Sequence, residues 1–135
     1  MPIGLWWDYG RIIVGLSGQG SDEILSDYGM NGTKLSQNST LCGYFPDSLE
    51  AVYPWPNFFG GANRCYLLKE EYVTGSHGIE GRYPFLDKLL VQEFLWLSST
   101  LKNSAYKAPL SSYLKRSGFP TDFGQKRGFN ATHKL

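Results

Sequence analysis

The chain is short of cysteine, histidine and charge, and each shortage closes a class of function. Its two cysteines, Cys42 and Cys65, cannot make a disulfide framework, and neither sits in a Cys-x-x-Cys or Cys/His cluster. They read as plain thiols of a reducing compartment, so a cytoplasmic location is expected. The two histidines, His77 and His133, lie far apart, and no zinc site is expected. Charged residues make up 19% and the net charge is +1, which excludes a nucleic-acid partner held by bulk electrostatics and a highly charged disordered tail. No run approaches the roughly 20 apolar residues of a membrane span. The longest mostly apolar stretch, around Leu89 to Leu97, is broken by Gln92 and Glu93. Residues Met1 to Asp8 lack a basic segment followed by a long apolar run, so no signal peptide is expected. Three sequons, at Asn31, Asn38 and Asn130, then have no route to a glycan and are read as chance.

What is present is apolar matter for one small core: 135 residues, 41% hydrophobic and 16% aromatic. Arg11-Ile12-Ile13-Val14-Gly15-Leu16 reads as a short strand buried on both faces of a parallel sheet. A Gly-rich turn, Ser17 to Gly20, follows it, and then a short helix with Ser21 as cap and Asp22 and Glu23 at its positive end. Residues 30–61 read as an irregular loop, a functional insertion or a segment packing on something else. Cys65, Leu68 and Tyr72, widened by Leu67, mark the apolar stripe of a helix from Ala62 to about Thr74. Asp87 caps a helix lined by Leu90, Val91, Phe94, Leu95 and Leu101, expected to run to about Lys102. A last helix spans Pro109 to Arg116 and stops at Gly118. A buried strand needs neighbours, and with no second strand evident its partners are expected upstream of Met1.

A strand feeding a Gly-rich turn and a helix is a geometry that holds anions, because backbone N–H groups and the helix dipole converge on phosphate oxygens. The Gly18-x-Gly20 pair alone is weak evidence for it. Asp22, at the same mouth, suits Mg²⁺ beside a phosphate or, equally, first-turn helix stabilisation.

Longer words make the reading specific. Leu16-Ser17-Gly18-Gln19-Gly20-Ser21-Asp22-Glu23 resembles the Leu-Ser-Gly-Glu-Gly-Ser-Asp-Glu signature of the synthetase domain of asparagine synthetases. About 55 residues on, His77-Gly78-Ile79-Glu80-Gly81-Arg82-Tyr83-Pro84-Phe85-Leu86-Asp87 is similar to that family's His-Gly-Ile-Glu-Ala-Arg-Val-Pro-Phe-Leu-Asp. Gln125-Lys126-Arg127-Gly128-Phe129 resembles its C-terminal Arg-x-Lys-x-Gly-Phe. The resemblance covers residues 11 to 129, in the family's order.

The resemblance implies an α/β fold of the adenine-nucleotide α-hydrolase-like (HUP-type) sandwich, present as a mainly helical C-terminal fragment with one or two parallel strands. Residues 1–135 would be a partial asparagine synthase domain. The implied reaction adenylates the side chain of aspartate with ATP and Mg²⁺, releases pyrophosphate, and lets ammonia from a glutaminase domain displace AMP. Carried over by motif, Ser17 and Gly18 would line the nucleotide, Asp22 would hold the Mg²⁺–pyrophosphate unit, and Lys126 would set its ammonium against the phosphates. Glu80, Arg82 and Asp87 read as architecture, the first two as a fixed pair or as groups that satisfy loop backbone, the third as the cap of the following helix.

Departures matter as much as matches. The family's glutamate, thought to take a proton from the attacking ammonia, is Gln19 here, which keeps the size but cannot take up a proton at neutral pH. Restoring it by Gln19→Glu is expected to speed amination about 100-fold. Gly124 replaces the first arginine of the third block. The Ser-Gly-Gly-x-Asp-Ser pyrophosphate loop is absent, as is a glutaminase cysteine, residue 2 being Pro2. The chain alone is therefore expected to be inactive, with an upstream half-domain or a glutaminase domain as partner. Two alternatives stand beside it: a non-catalytic interaction module on the same scaffold, and an amide- or lactam-forming synthetase acting on another carboxylate.

Overall fold

The computed structural model describes residues 6–8, 11–26, 28–30, 33–34, 41 and 43–120. They form a mixed α/β arrangement in which helix predominates. Three strands make the main sheet: β1 (Trp6–Asp8), β2 (Arg11–Leu16) and β5 (Glu80–Arg82), in the order β1-β2-β5. Strand β2 has the bounds its β-branched run predicts. Its neighbours differ from expectation, because both edges of β2 are paired within this chain. β1 runs antiparallel to it and β5 parallel, with Val14, Gly15 and Leu16 opposite Glu80, Gly81 and Arg82. Nor is β2 buried on both faces: Ile13 is exposed, and Val14 to Leu16 are half-buried. β3 (Gly29–Met30) and β4 (Thr33–Lys34) form a separate small antiparallel pair.

Of the two expected caps, Asp87 serves as one, whereas Ser21 lies inside its helical turn. After the turn, Ser21–Ser26 makes one wide helical turn. α1 (Pro56–Phe59) leads directly into α2 (Gly61–Ser76). Two asparagines fasten that junction: Asn57 Oδ1 accepts from the Ala62 N–H at 2.8 Å, and Asn63 Nδ2 donates to the Phe58 carbonyl at 3.0 Å. α3 (Lys88–Trp96) starts at Asp87, whose Oδ1 accepts from the N–H groups of Leu89 and Leu90. It stops short of the predicted Lys102, because Ser98 caps a new helix, α4 (Ser99–Asn103), by accepting from the Leu101 N–H. α5 (Ala108–Arg116) ends at Gly118, whose φ of +65° glycine adopts without strain. Among the described residues, no helix is long and apolar enough to cross a membrane.

Ile24, Phe45, Trp55, Phe58 and Phe94 make the core, with Phe45 edge-on to Trp55 and Phe94, and Trp55 edge-on to Phe58. Phe45 and Trp55 come from the irregular segment, which therefore packs on this chain itself. The indole Nε1 of Trp55 also donates to the Glu23 carbonyl at 2.7 Å, tying that segment to the Ser21–Ser26 turn. Trp55→Ala, which removes a buried ring and its hydrogen bond to that carbonyl, should cost about 3–5 kcal/mol in urea unfolding. A loss below about 1 kcal/mol, the scale of a surface change, would show that the irregular segment is not part of the core.

The α2 stripe is a correction. Cys65, Leu68 and Tyr72 face solvent among the described residues, Tyr72 at 77%, while Leu67 is half-buried and Asn63 is the residue α2 buries fully. Lys102 departs the other way: it is 3% exposed, donates from Nζ to the Leu95 carbonyl at 2.9 Å and lies over the Phe94 and Phe45 rings. Burial pushes its pKa below the ordinary lysine value.

Candidate functional site

The parallel pairing of β2 with β5 carries the first two sequence blocks to the same place. It continues past the strands, where the Ser17 N–H donates to the Arg82 carbonyl at 2.9 Å. Gly20 then turns the chain with φ +88°, and a Cβ there would collide with Leu86. The second block thus walls the turn made by the first. Gly20→Ala, strained in φ and overpacked, should lose about 1–3 kcal/mol in thermal or urea unfolding. Adding Leu86→Ala should recover the packing share alone; no loss in the single variant would mean that the two blocks do not touch.

Gly18 is different. Its φ is not of the glycine-requiring kind, and a Cβ there would meet nothing within 4 Å. The described residues give no steric reason for a glycine at this exposed position. Ser17 caps the turn, its Oγ accepting from the Gln19 N–H at 3.2 Å. Beside it a depression of about 360 Å³ is lined by Ser17, Lys69, Glu70, Thr74 and Gly81 among others.

Gln19 points its amide at α2, where Nε2 donates to Glu70 Oε1 at 3.1 Å. A carboxylate is therefore present at this spot, on a different element from the one the motif indicates. Asp22 is held from the other side: Tyr106 donates its hydroxyl to Oδ1 at 2.6 Å, and Lys107 Nζ lies 3.0 Å from the same oxygen. Both partners of that ion pair are about 30% exposed, so part of their attraction is screened. Lys107 precedes α5 with φ +55°, the left-handed region, so the backbone is bent where the ammonium meets Asp22. Glu23, next along, is buried and accepts from the Tyr28 hydroxyl at 2.6 Å.

Ser17, Gly18, Gln19 and Asp22 thus share one turn, with Glu70, Tyr106 and Lys107 arriving from elsewhere. Lys126 and its block lie outside the described residues, as does Cys42. Glu80 and Arg82 do form an ion pair, exposed on β5, which contributes little to stability. Sequence reasoning misses Lys107 because little local distinguishes it; a lysine just ahead of Ala108-Pro109 at a helix start is the available signal. It misses Glu70 because that residue sits within an apparently amphipathic helix.

Two phenols here titrate late. Burial first, and then the hydrogen bonds to Glu23 and Glu71, push the Tyr28 and Tyr83 hydroxyls far above their ordinary value of 10.0. A folded pKa raised above the unfolded one gives stability that is full below pH 10.0 and is lost as the pH climbs beyond it. In an alkaline absorbance titration Tyr28→Phe should remove one late-ionising phenol, and a curve unchanged by that substitution would contradict the Tyr28–Glu23 contact.

No family profile, curated protein or solved structure matches the chain. Among the described residues, no group of three or more His, Cys, Asp or Glu is arranged to hold a metal ion.

Proposed function

We propose that the chain belongs to an ATP-dependent, amide-forming synthetase of the asparagine synthase type, on a HUP-type sandwich, and supplies the wall that faces the phosphates and the attacking nitrogen. The observation that carries this reading is the β2–β5 pairing, which sets the Gly-rich turn against the second block, as a shared cleft requires. Two further features support it. Gly81 and Tyr83 stand where the family motif has alanine and valine, and the changes are complementary, since a Cβ at 81 would lie 2.7 Å from the Tyr83 hydroxyl and from Glu71 Oε1. The unforced glycine at 18 leaves the turn's backbone open to a ligand.

In this reading ATP supplies the leaving group and Mg²⁺ rides on its phosphates. Ser17 and Gly18 offer the turn to the nucleotide, Asp22 takes the ion, and Lys107 and Lys126 are the cations for developing phosphate charge. Glu70, against Gln19, is the carboxylate that can take the proton of the attacking nitrogen. The carboxyl substrate is aspartate by resemblance, and a different carboxylate is the alternative within the same chemistry. The direct test is an NMR titration of the chain with Mg²⁺–pyrophosphate. Weak binding should shift the amides from Ser17 to Asp22, and Asp22→Asn should suppress the shifts. Shifts scattered over the surface, unchanged in the variant, would oppose the reading.

A second reading follows from one specific contact. Asp22 is already engaged by Tyr106 and Lys107, as in a latch that joins the Ser21–Ser26 turn to α5 without catalysis. That non-catalytic module would lose stability on Asp22→Asn and show no response to Mg²⁺–pyrophosphate at all.

A further inference from the structure

A groove of about 400 Å³ is lined by α3, α5 and the Ser21–Ser26 turn. Its walls are apolar, with Leu25, Phe85, Leu90, Leu97, Leu110 and Tyr113, of which Leu90 and Tyr113 are exposed. Glu93 also lines it and is exposed, and its carboxylate has no partner among the described residues. An apolar wall with one unpaired acid suits an occupant that brings a ring and a cation. The chain itself continues with both. It leaves α5 through the turn at Gly118, where the Phe119 N–H donates to the Leu114 carbonyl at 3.0 Å. Beyond Pro120, outside the described residues, it reads Thr121-Asp122-Phe123-Gly124-Gln125-Lys126-Arg127-Gly128-Phe129.

We propose that this segment docks on the α3–α5 groove, with the Phe129 ring against Leu90 and Leu110 and the Arg127 guanidinium against Glu93. Its length suffices. Ten extended residues, Phe119 to Phe129, span about 33 Å, whereas the nine residues of α5 rise only about 14 Å. The segment therefore reaches back along the helix whose Leu110 and Tyr113 line the groove. Its spacing also matches. In extended backbone, residues two apart share a side, so Arg127 and Phe129 face the groove together and Lys126 falls on the opposite side. Lys126 is then left for its proposed place at the phosphates, and the docking rests on none of the synthetase chemistry. The tether favours this occupant over a separate molecule. A short linker holds the ring near the groove at an effective concentration on the order of 1 mM, so one ring and one rim ion pair suffice.

Nuclear Overhauser contacts in the full, unaltered chain test this. The Phe129 ring should show them to the methyl groups of Leu90 and Leu110, and a mixture of labelled and unlabelled chains should show them within one chain. Phe129→Ala should shift the groove methyl signals. Arg127→Glu or Glu93→Arg alone should lose the contacts, and the two substitutions together should restore them. Both positions lie outside the buried core, so the charge exchange is read on a folded protein. Contacts found only between chains would make a second copy the occupant and overturn the proposal. So would contacts from Phe123 in place of Phe129, groove signals indifferent to Phe129→Ala, or a double exchange that fails to restore what the single ones lose.

Discussion

On the proposed amide-forming reading, Glu70→Gln should lower amide formation about 100-fold when this chain is joined to a segment bearing the pyrophosphate loop, while pyrophosphate release stays near its rate without the substitution. The physical basis is the 3.1 Å contact between Gln19 Nε2 and Glu70 Oε1. A glutamine beside a carboxylate orients it and donates to it; the proton then goes to the carboxylate. Loss of that acceptor touches the nitrogen step alone, because adenylation requires no proton transfer at this place. Gln19→Glu is the informative companion. The motif alone predicts a faster amination from that change. The structure predicts a different result, since the new carboxylate would lie against Glu70 in place of the amide that donates to it, and the two like charges would push each other out of position. Amination should therefore stay level or fall. A large gain in Gln19→Glu with no loss in Glu70→Gln would return the role to position 19.

Asp22→Asn should reduce pyrophosphate release by about 100- to 1,000-fold in the same joined protein, the usual cost of removing one group that meets developing charge. The isosteric change keeps an acceptor for Tyr106 but ends the ion pair with Lys107, and at 29% and 30% exposure that pair contributes only modestly to stability. Activity and stability should therefore separate: a large kinetic loss with an unfolding midpoint close to the original. A large stability loss with unchanged pyrophosphate release would identify Asp22 as the latch of the second reading.

Part of the fold is readable in the sequence, and the unreadable part has a physical cause. The strand Arg11–Leu16, the cap at Asp87 and the stop at Gly118 are local signals, and the structure keeps all three. Strands β1 and β5 are three residues each, and β5 is Glu-Gly-Arg, with no apolar alternation to betray a strand that pairs through its backbone. Periodicity locates α2 but picks the wrong face, because spacing tells where a stripe runs and not whether anything covers it. The break between α3 and α4 is written in Ser98, a cap inside an otherwise continuous apolar period. Tyr106 and Asp22 meet across 84 residues, and Gln19 and Glu70 across 51, separations at which side chains meet only through the fold.

Pyrophosphate–ATP exchange by this chain joined to a loop-bearing half-domain, run with Mg²⁺ and with aspartate or another carboxylate, probes the phosphate-facing role most directly. Exchange should require a carboxylate, survive Glu70→Gln and disappear in Asp22→Asn. Exchange that is absent with every carboxylate, or present and indifferent to Asp22→Asn, would remove the phosphate-facing role from this chain.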